Sequence, residues 1–299
     1  MNKSNENWVR WRRDSHRHTE LGYGEERTSA VVAERLESFG IETHTGIGGT
    51  GVVGVLRRGA GSRSIGLRAD IDALPIQEAN EFDHRSVNDG KFHGCGHDGH
   101  TAMLLAAAET LSTAESIDGT VNFIFQPNEE NGLGALAMMD DGLFERFEMD
   151  AVYGMHNMPG IPAGHFAVRK GPMMTFEDNF VISIRGLGGH ASMPNRTRDP
   201  VMVAAEIISA LQTIVARSLN PMDSGVVSVT EVHTDGARNV IPSNVTIKGD
   251  TRGLSDHVQA LIEKRMREIV VNIGKAHNVD VTLDYSHEFI VLNNTDDET

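Results

Sequence analysis

A single cysteine, Cys95, occurs in the 299 residues. That count excludes an intramolecular disulfide framework and suits a reducing cytoplasm, where we expect the protein to reside. Positive charge is short as well: 27 Lys and Arg stand against 42 Asp and Glu, a formal net charge of -15. This balance argues against nucleic acid or an anionic membrane surface as the main partner. No apolar run approaches the roughly 20 residues of a membrane span; residues 103–108 read as a short buried helix segment. The N-terminal MNKSNENWVRWRRDSHRH carries charge without an apolar core and does not read as a secretory signal. Residues 46–54 (GIGGTGVVG) lack the Gly-Lys-Ser/Thr of a phosphate loop, and no GxGxxG opens a helix there.

What the chain does contain is concentrated chemistry. Residues 92–100, FHGCGHDGH, put His93, Cys95, His97, Asp98 and His100 in nine positions. Imidazole, thiolate and carboxylate are the side chains that hold zinc-like ions. The interspersed glycines leave the backbone free to turn several of them toward one point. A second pair, Glu129-Glu130, follows an apolar strand. Two adjacent carboxylates can divide labour, one ligating a metal and the other accepting a proton from water that the metal activates. Asp70 and Asp72 have two readings: groups that orient a ligand or the base, or turn residues before Pro75. His156 sits at a strand end, and the glycine-flanked His190 is a candidate donor to a substrate carbonyl. His16, His18, His44, His84, His233, His257, His277 and His287 read as surface or structural.

The length allows two domains. Residues 7–40 carry a helical apolar stripe with Gly40 as a stop, and 101–111 read as helix after the His/Cys cluster. Strands are expected at 64–69, 121–126 and 151–155, with a helix at 134–140. The alternation predicts an α/β fold, a mixed sheet flanked by helices. Asp70/Asp72, Glu129/Glu130 and His156 all fall just past a strand, where open α/β sheets bind ligands. Beyond 176 the order is strand 180–185, helix 200–219, strands 226–233 and 240–250, helix 255–277 and strand 279–285. That βαββαβ order predicts an inserted ferredoxin-like α+β module. The expected division is 1–175 catalytic, 176–285 lid, and 286–299 the start of a return to the first domain.

The segments GLRADIDALPIQE, FHGCGHDGHTAMLL, FIFQPNEENGLGA, GMHNMPG, IRGLGGHASMPN and NVIPSN occur in this order. Together they resemble the metal-dependent peptidase-amidohydrolase family, in the branch of aminoacylases, hippurate hydrolases and auxin-amino-acid conjugate hydrolases. The resemblance implies a catalytic α/β domain with a smaller lid that dimerises. It implies hydrolysis of N-acyl (acetyl or benzoyl type) amino acids by metal-activated water. Carried over by motif, Cys95, His97, Glu130 and His156 would ligate two divalent ions (Zn, Mn, Co or Ni), with the thiolate bridging. Glu129 would be the general base. His190 would polarise the scissile carbonyl, commonly in the partner subunit's site, and Asn239 would help bind substrate. Residues 175–178 (TFED), at the entry to the lid, are expected to contribute to substrate choice. The family pattern continues with a return to the catalytic domain and one further His ligand. This sequence runs to Thr299 without that motif, so the expectation is either a truncated chain or a protein without a complete site, with one metal position weakened or empty. Two alternatives follow: a catalytically silent member acting through its lid, and a dipeptidase or carboxypeptidase using the same groups.

Overall fold

The computed structural model describes residues 3–294. Residues 295–299, the end of the segment expected to return to the first domain, lie outside the described residues. The chain divides into two compact units, Met1–Ile161 and Pro162–Thr299.

The first unit begins with helices α1 (Lys3–Arg17) and α2 (Glu26–Ser38). The continuous helix expected over 7–40 is therefore broken. Gly22 and Gly24 interrupt it, Tyr23 takes a φ of 61°, and Leu21 bridges Ala73 instead of turning a helix. Strands β1 (Glu42–Ile47), β2 (Gly51–Arg58) and β3 (Ser64–Asp70) follow, then helix α3 (His97–Ser112). Strand β4 (Gly119–Gln126), helices α4 (Gly134–Asp140) and α5 (Leu143–Arg146), and strand β5 (Ala151–Gly154) complete it. The five strands form one mixed sheet in the order β1-β2-β4-β3-β5, antiparallel from β1 to β4 and parallel among β4, β3 and β5.

Both faces of this sheet are covered, as its strand sequences require. The side chains of β2 and β4 alternate between faces. Val52, Leu56, Val121, Phe123 and Phe125 pack with Leu36 of α2 and Leu104, Leu105 and Ala108 of α3. Val53, Val55 and Ile124 pack with Met138 of α4 and Leu143 of α5. A strand buried on both faces reads as a continuous apolar run rather than an alternating one, which is the pattern of VNFIFQ. Because β3, β4 and β5 are parallel, their carboxyl ends open at one edge.

The second unit opens with strand β6 (Gly171–Met174), which pairs with β13 (Leu292–Asn294). Between them run β7 (Phe176–Arg185), β8 (Gly189–His190), α6 (Pro200–Thr213), β9 (Gly225–Thr234), β10 (Val240–Ile241), β11 (Asn244–Gly253), α7 (Asp256–His277) and β12 (Asp280–Phe289). The main sheet is antiparallel in the order β12-β7-β11-β9, a split βαβ topology. Phe180, Ile182 and Ile184 of β7 meet Ile207 and Leu211 of α6 and Ile262, Met266 and Val270 of α7 in one apolar layer. The strand expected over 240–250 is two strands. Pro242 between them has no N–H to donate to a ladder.

Contrary to the reading of short apolar runs only, one helical stretch, Pro200–Ser218, is long and apolar enough to cross a membrane by length and composition. Isolated polar residues such as Glu206 and Gln212 conceal it in the sequence. In this fold Val203, Ala204, Ile207, Leu211 and Ile214 of that stretch are buried in the unit's core.

Candidate metal centre

The parallel strand ends and the start of α3 gather the donors. α3 begins at His97, four residues earlier than expected, so His97, Asp98 and His100 lie in its first turn. Gly96 before it has φ 92°, and a Cβ there would stand 2.3 Å from Asn157 Oδ1. Only glycine permits both the left-handed turn and that approach. The turn sends alternate side chains of the motif in different directions.

Cys95 Sγ lies 3.4 Å from His156 Nε2, although 61 residues separate them in sequence. His97 Nε2 stands 3.7 Å from Glu130 Oε1, 3.8 Å from Glu129 Oε2 and 3.7 Å from Asp70 Oδ2. Ligand atoms about 2.0–2.3 Å from a shared ion fall about 3.3–3.8 Å apart in tetrahedral geometry. Three groups of donors have ligand atoms within 4.8 Å of one another: Cys95/His97/His156, His97/Glu129/Glu130 and Asp70/His97/His100. All three contain His97.

The donor set fits divalent ions on a second count. His97 Nε2 and Glu130 Oε1 are buried and have no hydrogen-bond partner. Buried polar atoms are otherwise almost always paired, and a cation between these two would satisfy both. His97 is held for that task through its other nitrogen. Nδ1 donates toward Asp72, 2.9 Å from the backbone oxygen and 3.2 Å from Oδ1. Asp72 Oδ2 in turn accepts from the backbone N–H of Glu130 at 3.0 Å. Of the two readings of Asp72, the geometry carries the first: it orients one candidate ligand and anchors the turn bearing another.

The remaining motif residues do other work. Asp98 accepts from Arg12 Nε at 3.0 Å and bonds His16 Nδ1 at 2.9 Å, which ties α3 to α1. His16 reaches Glu78 with its other nitrogen and is thus a buried structural residue. His93 is buried with neither nitrogen paired, and burial pushes its pKa down to about 4. His100 has both nitrogens engaged, Nδ1 with Asp70 Oδ1 at 2.6 Å and Nε2 with Asn157 Oδ1 at 2.6 Å. The His100, Asp70 and Asn157 linkage was not foreseen. Its partners are distant in sequence, and only the position of Asp70 at a strand end hinted at it.

The electrostatics follow from crowding charges at one point. Desolvation raises the carboxyl pKa of both Glu129 and Glu130, the direction that brings a carboxylate toward use as a base near neutrality. Burial alone would raise Asp70 too, but the His100 bond and the Arg68 charge outweigh it and hold that carboxyl well below the usual range. The bond to His156 lowers the Cys95 thiol, and the same bond raises His156 to about 9. Burial opposes protonation of His97, yet Asp72, Cys95 and Asp70 together push it up to about 11.

In the metal-free protein both imidazoles therefore carry protons at pH 7, and a metal must displace them. Their folded pKa values exceed the unfolded value, so they stabilise the metal-free fold most below pH about 6.5. The His156 contribution is lost as pH rises through about 9. We expect zinc or manganese uptake at pH 7 to release protons, and apparent affinity to rise from pH 7 to 9. Calorimetric titration in buffers of different ionisation enthalpy measures this directly. A heat independent of buffer would contradict it.

In the second unit the structure brings His190 and Asn239 together. His190 pairs with Val240 across β8 and β10, and Ala191 N donates to Asn239 O at 3.0 Å. His190 Nδ1 accepts from Ser192 Oγ at 2.8 Å, and its Nε2 has no partner among the described residues. The TFED segment behaves otherwise than expected. Phe176 and Asp178 are buried, and Asp178 accepts from Tyr285 Oη and Gln259 Nε2. Asp178 thus belongs to the internal structure of this unit.

Similar proteins give this arrangement a context. Hippurate hydrolase of Campylobacter jejuni is 41% identical over 286 residues, covering 96% of this chain and 74% of that protein. N-acyl-L-amino acid amidohydrolase of Geobacillus stearothermophilus is 38% identical, covering 95% of this chain and 77% of that one. Among solved structures, the Bacillus subtilis YXEP protein, a dinuclear metal-binding peptidase of the M20 family, superposes with a TM-score of 0.82 at 31% identity. That match covers 98% of this chain and 76% of YXEP. Peptidase family M20/M25/M40 is itself matched over residues 66–296. The matched span starts in β3, takes in every donor gathered around His97 and runs through the second unit, so this chain belongs to peptidase family M20/M25/M40.

Proposed function

We propose that this protein hydrolyses the amide bond of N-acyl amino acids with the help of two divalent ions. The observation that carries the proposal is the convergence of Cys95, His97, Glu130 and His156 beside a second carboxylate, Glu129. The names of the similar proteins supply the substrate class. When bound, the ions would polarise the amide carbonyl and lower the pKa of water toward neutrality. Glu129 takes a proton from the attacking water and passes it to the leaving nitrogen, which departs as the amine of a free amino acid. Its raised pKa makes that exchange easier in both directions. Asp72 keeps His97 in one tautomer throughout, by holding Nδ1–H.

The second unit is read as an inserted lid that contributes His190 to carbonyl polarisation and Asn239 to substrate binding. It also provides a surface for homodimerisation. Support for dimerisation comes from β9, which is the open edge of its sheet, and from Val226, Val232, Val201, Met202 and Val215, which are exposed on β9 and on the Pro200–Ser218 stretch. A cytoplasmic setting is consistent with the lone cysteine.

The test is a hydrolysis panel of N-acetyl amino acids, N-benzoyl amino acids and dipeptides, run with and without added Mn or Zn alongside metal content per chain. We expect metal-dependent turnover of the N-acyl compounds. Full metal loading with cleavage of dipeptides alone would replace the proposal with a dipeptidase.

A further inference from the structure

The segment that interrupts the expected first helix is built into the candidate site. Glu20 caps α2, its carboxylate accepting from Arg27 N at 3.0 Å and from Thr28 N at 2.8 Å. The Glu20 carbonyl accepts from Ala73 N at 2.9 Å, one residue past Asp72. Glu25 then turns inward. Its side chain is buried, with Oε1 accepting from the backbone N–H of Asn128 at 2.8 Å and Oε2 accepting from Thr50 Oγ1 at 2.6 Å.

Asn128 is the residue before Glu129, and its conformation is unusual. It is buried with φ 46°, a left-handed backbone that a side-chain-bearing residue rarely adopts. Its neighbours hold it there. Gly134 N donates to its carbonyl at 3.1 Å, and Asn131 Nδ2 donates to its Oδ1 at 2.5 Å. Gly22 packs against its amide, and a Cβ on Gly22 would stand 1.8 Å from Asn128 Oδ1. Such conformations persist only where the surroundings over-determine them, and they cluster at functional sites. The turn that carries Glu129 and Glu130 is thus clasped from the far side by the loop before α2.

We propose that Glu25 is a positioning residue: its carboxylate fixes the Asn128 turn and so sets where Glu129 and Glu130 point. The proposal rests on the reading of Glu129 as general base and Glu130 as metal ligand. The physical reason is donor accounting. A buried backbone N–H and a hydroxyl both need an acceptor here, and one carboxylate supplies two oxygens at the right separation. Remove it and the Asn128 N–H is left unpaired inside the protein, so the turn relaxes toward a more ordinary backbone.

The experiment compares Glu25→Ala, Glu25→Gln and Thr50→Val with the parent protein by amide hydrogen exchange on the metal-free protein and by steady-state kinetics on the metal-loaded protein. In Glu25→Ala we expect amides of residues 128–134 to exchange at least about tenfold faster, while those of β4 keep their protection. We expect kcat to fall at least about tenfold with KM and metal content within about twofold. Glu25→Gln should restore most of kcat, because its amide oxygen still accepts from Asn128 and its Nε2 can donate to Thr50. Thr50→Val, which leaves Glu25 anchored on one side, should give a smaller change of the same kind and decides the matter if Glu25→Ala does not fold. Unchanged exchange at 128–134 would overturn the proposal. Loss of protection throughout β4 would also overturn it, by showing a general structural role. A loosened turn with unchanged kcat would also overturn it, by showing that the clasp does not set where Glu129 points, while the activity of Glu129→Ala tests the role of Glu129 separately.

Discussion

Replacing Glu129 with alanine is expected to lower turnover of N-acyl amino acids by about 10²- to 10⁴-fold, the usual contribution of a positioned acid–base group. The two ions should remain. Glu130, Cys95, His97 and His156 are untouched, and Asp72 holds His97 and the Glu130 backbone without the Glu129 side chain. Glu129 Oε2 is close enough to His97, at 3.8 Å, that its loss also removes a negative charge from the site. Metal affinity alone is therefore an insufficient readout. Turnover and metal content measured on the same sample separate the roles. Full activity in Glu129→Ala would exclude it as the base. Loss of metal in proportion to activity would make it a ligand.

The second large effect is expected at His97. Every donor group in the site includes this residue, so His97→Ala should impair both metal positions rather than one. Polarisation by a bound ion is worth several kcal/mol, so turnover should fall by about 10³-fold or more. Stabilisation by added metal should disappear with it, since a ligand raises stability only through the folded state it binds. Metal content by elemental analysis and melting temperature with and without zinc test both statements. A variant that still binds two ions per chain would show that His97 is not shared between them.

Much of this site was legible because its chemistry is local in sequence. Cys95 and His97 fall in one motif, Glu129 and Glu130 in another, and each sits next to a strand or helix whose apolar pattern is strong. Helix 134–140 and the strands of the parallel edge were readable for the same reason. The errors have physical causes. A period-3.6 stripe continues on both sides of residues 18–25, so Gly22 and Gly24 were read through, although backbone contacts to Ala73 and Asn128 decide the local conformation there. The start of α3 was placed too late because His, Asp and Gly are weak helix formers. Tertiary bonds from Asp98 to α1 and from His100 to Asp70 override that preference. The roles of Asp70, His100 and Asn157 depend on pairings across 30 and 57 residues, for which the strand-end position of Asp70 is the one signal in the sequence. The TFED segment was read from its position at the entry to the lid, and position alone does not show that Asp178 is buried by partners that come from the other end of its unit.

The separation of Cys95 and His156 also bears on when an ion can act in the life of the chain. Bringing together two points 61 residues apart costs the unfolded polymer about 3–4 kcal/mol of closure entropy, apart from the constant term. An isolated ion meeting that polymer must overcome the closure by itself. Once β3, β5 and α3 are in place, the ends have already been joined by the sheet. An ion that binds this completed arrangement adds its binding free energy to the folded state without having to close that loop itself.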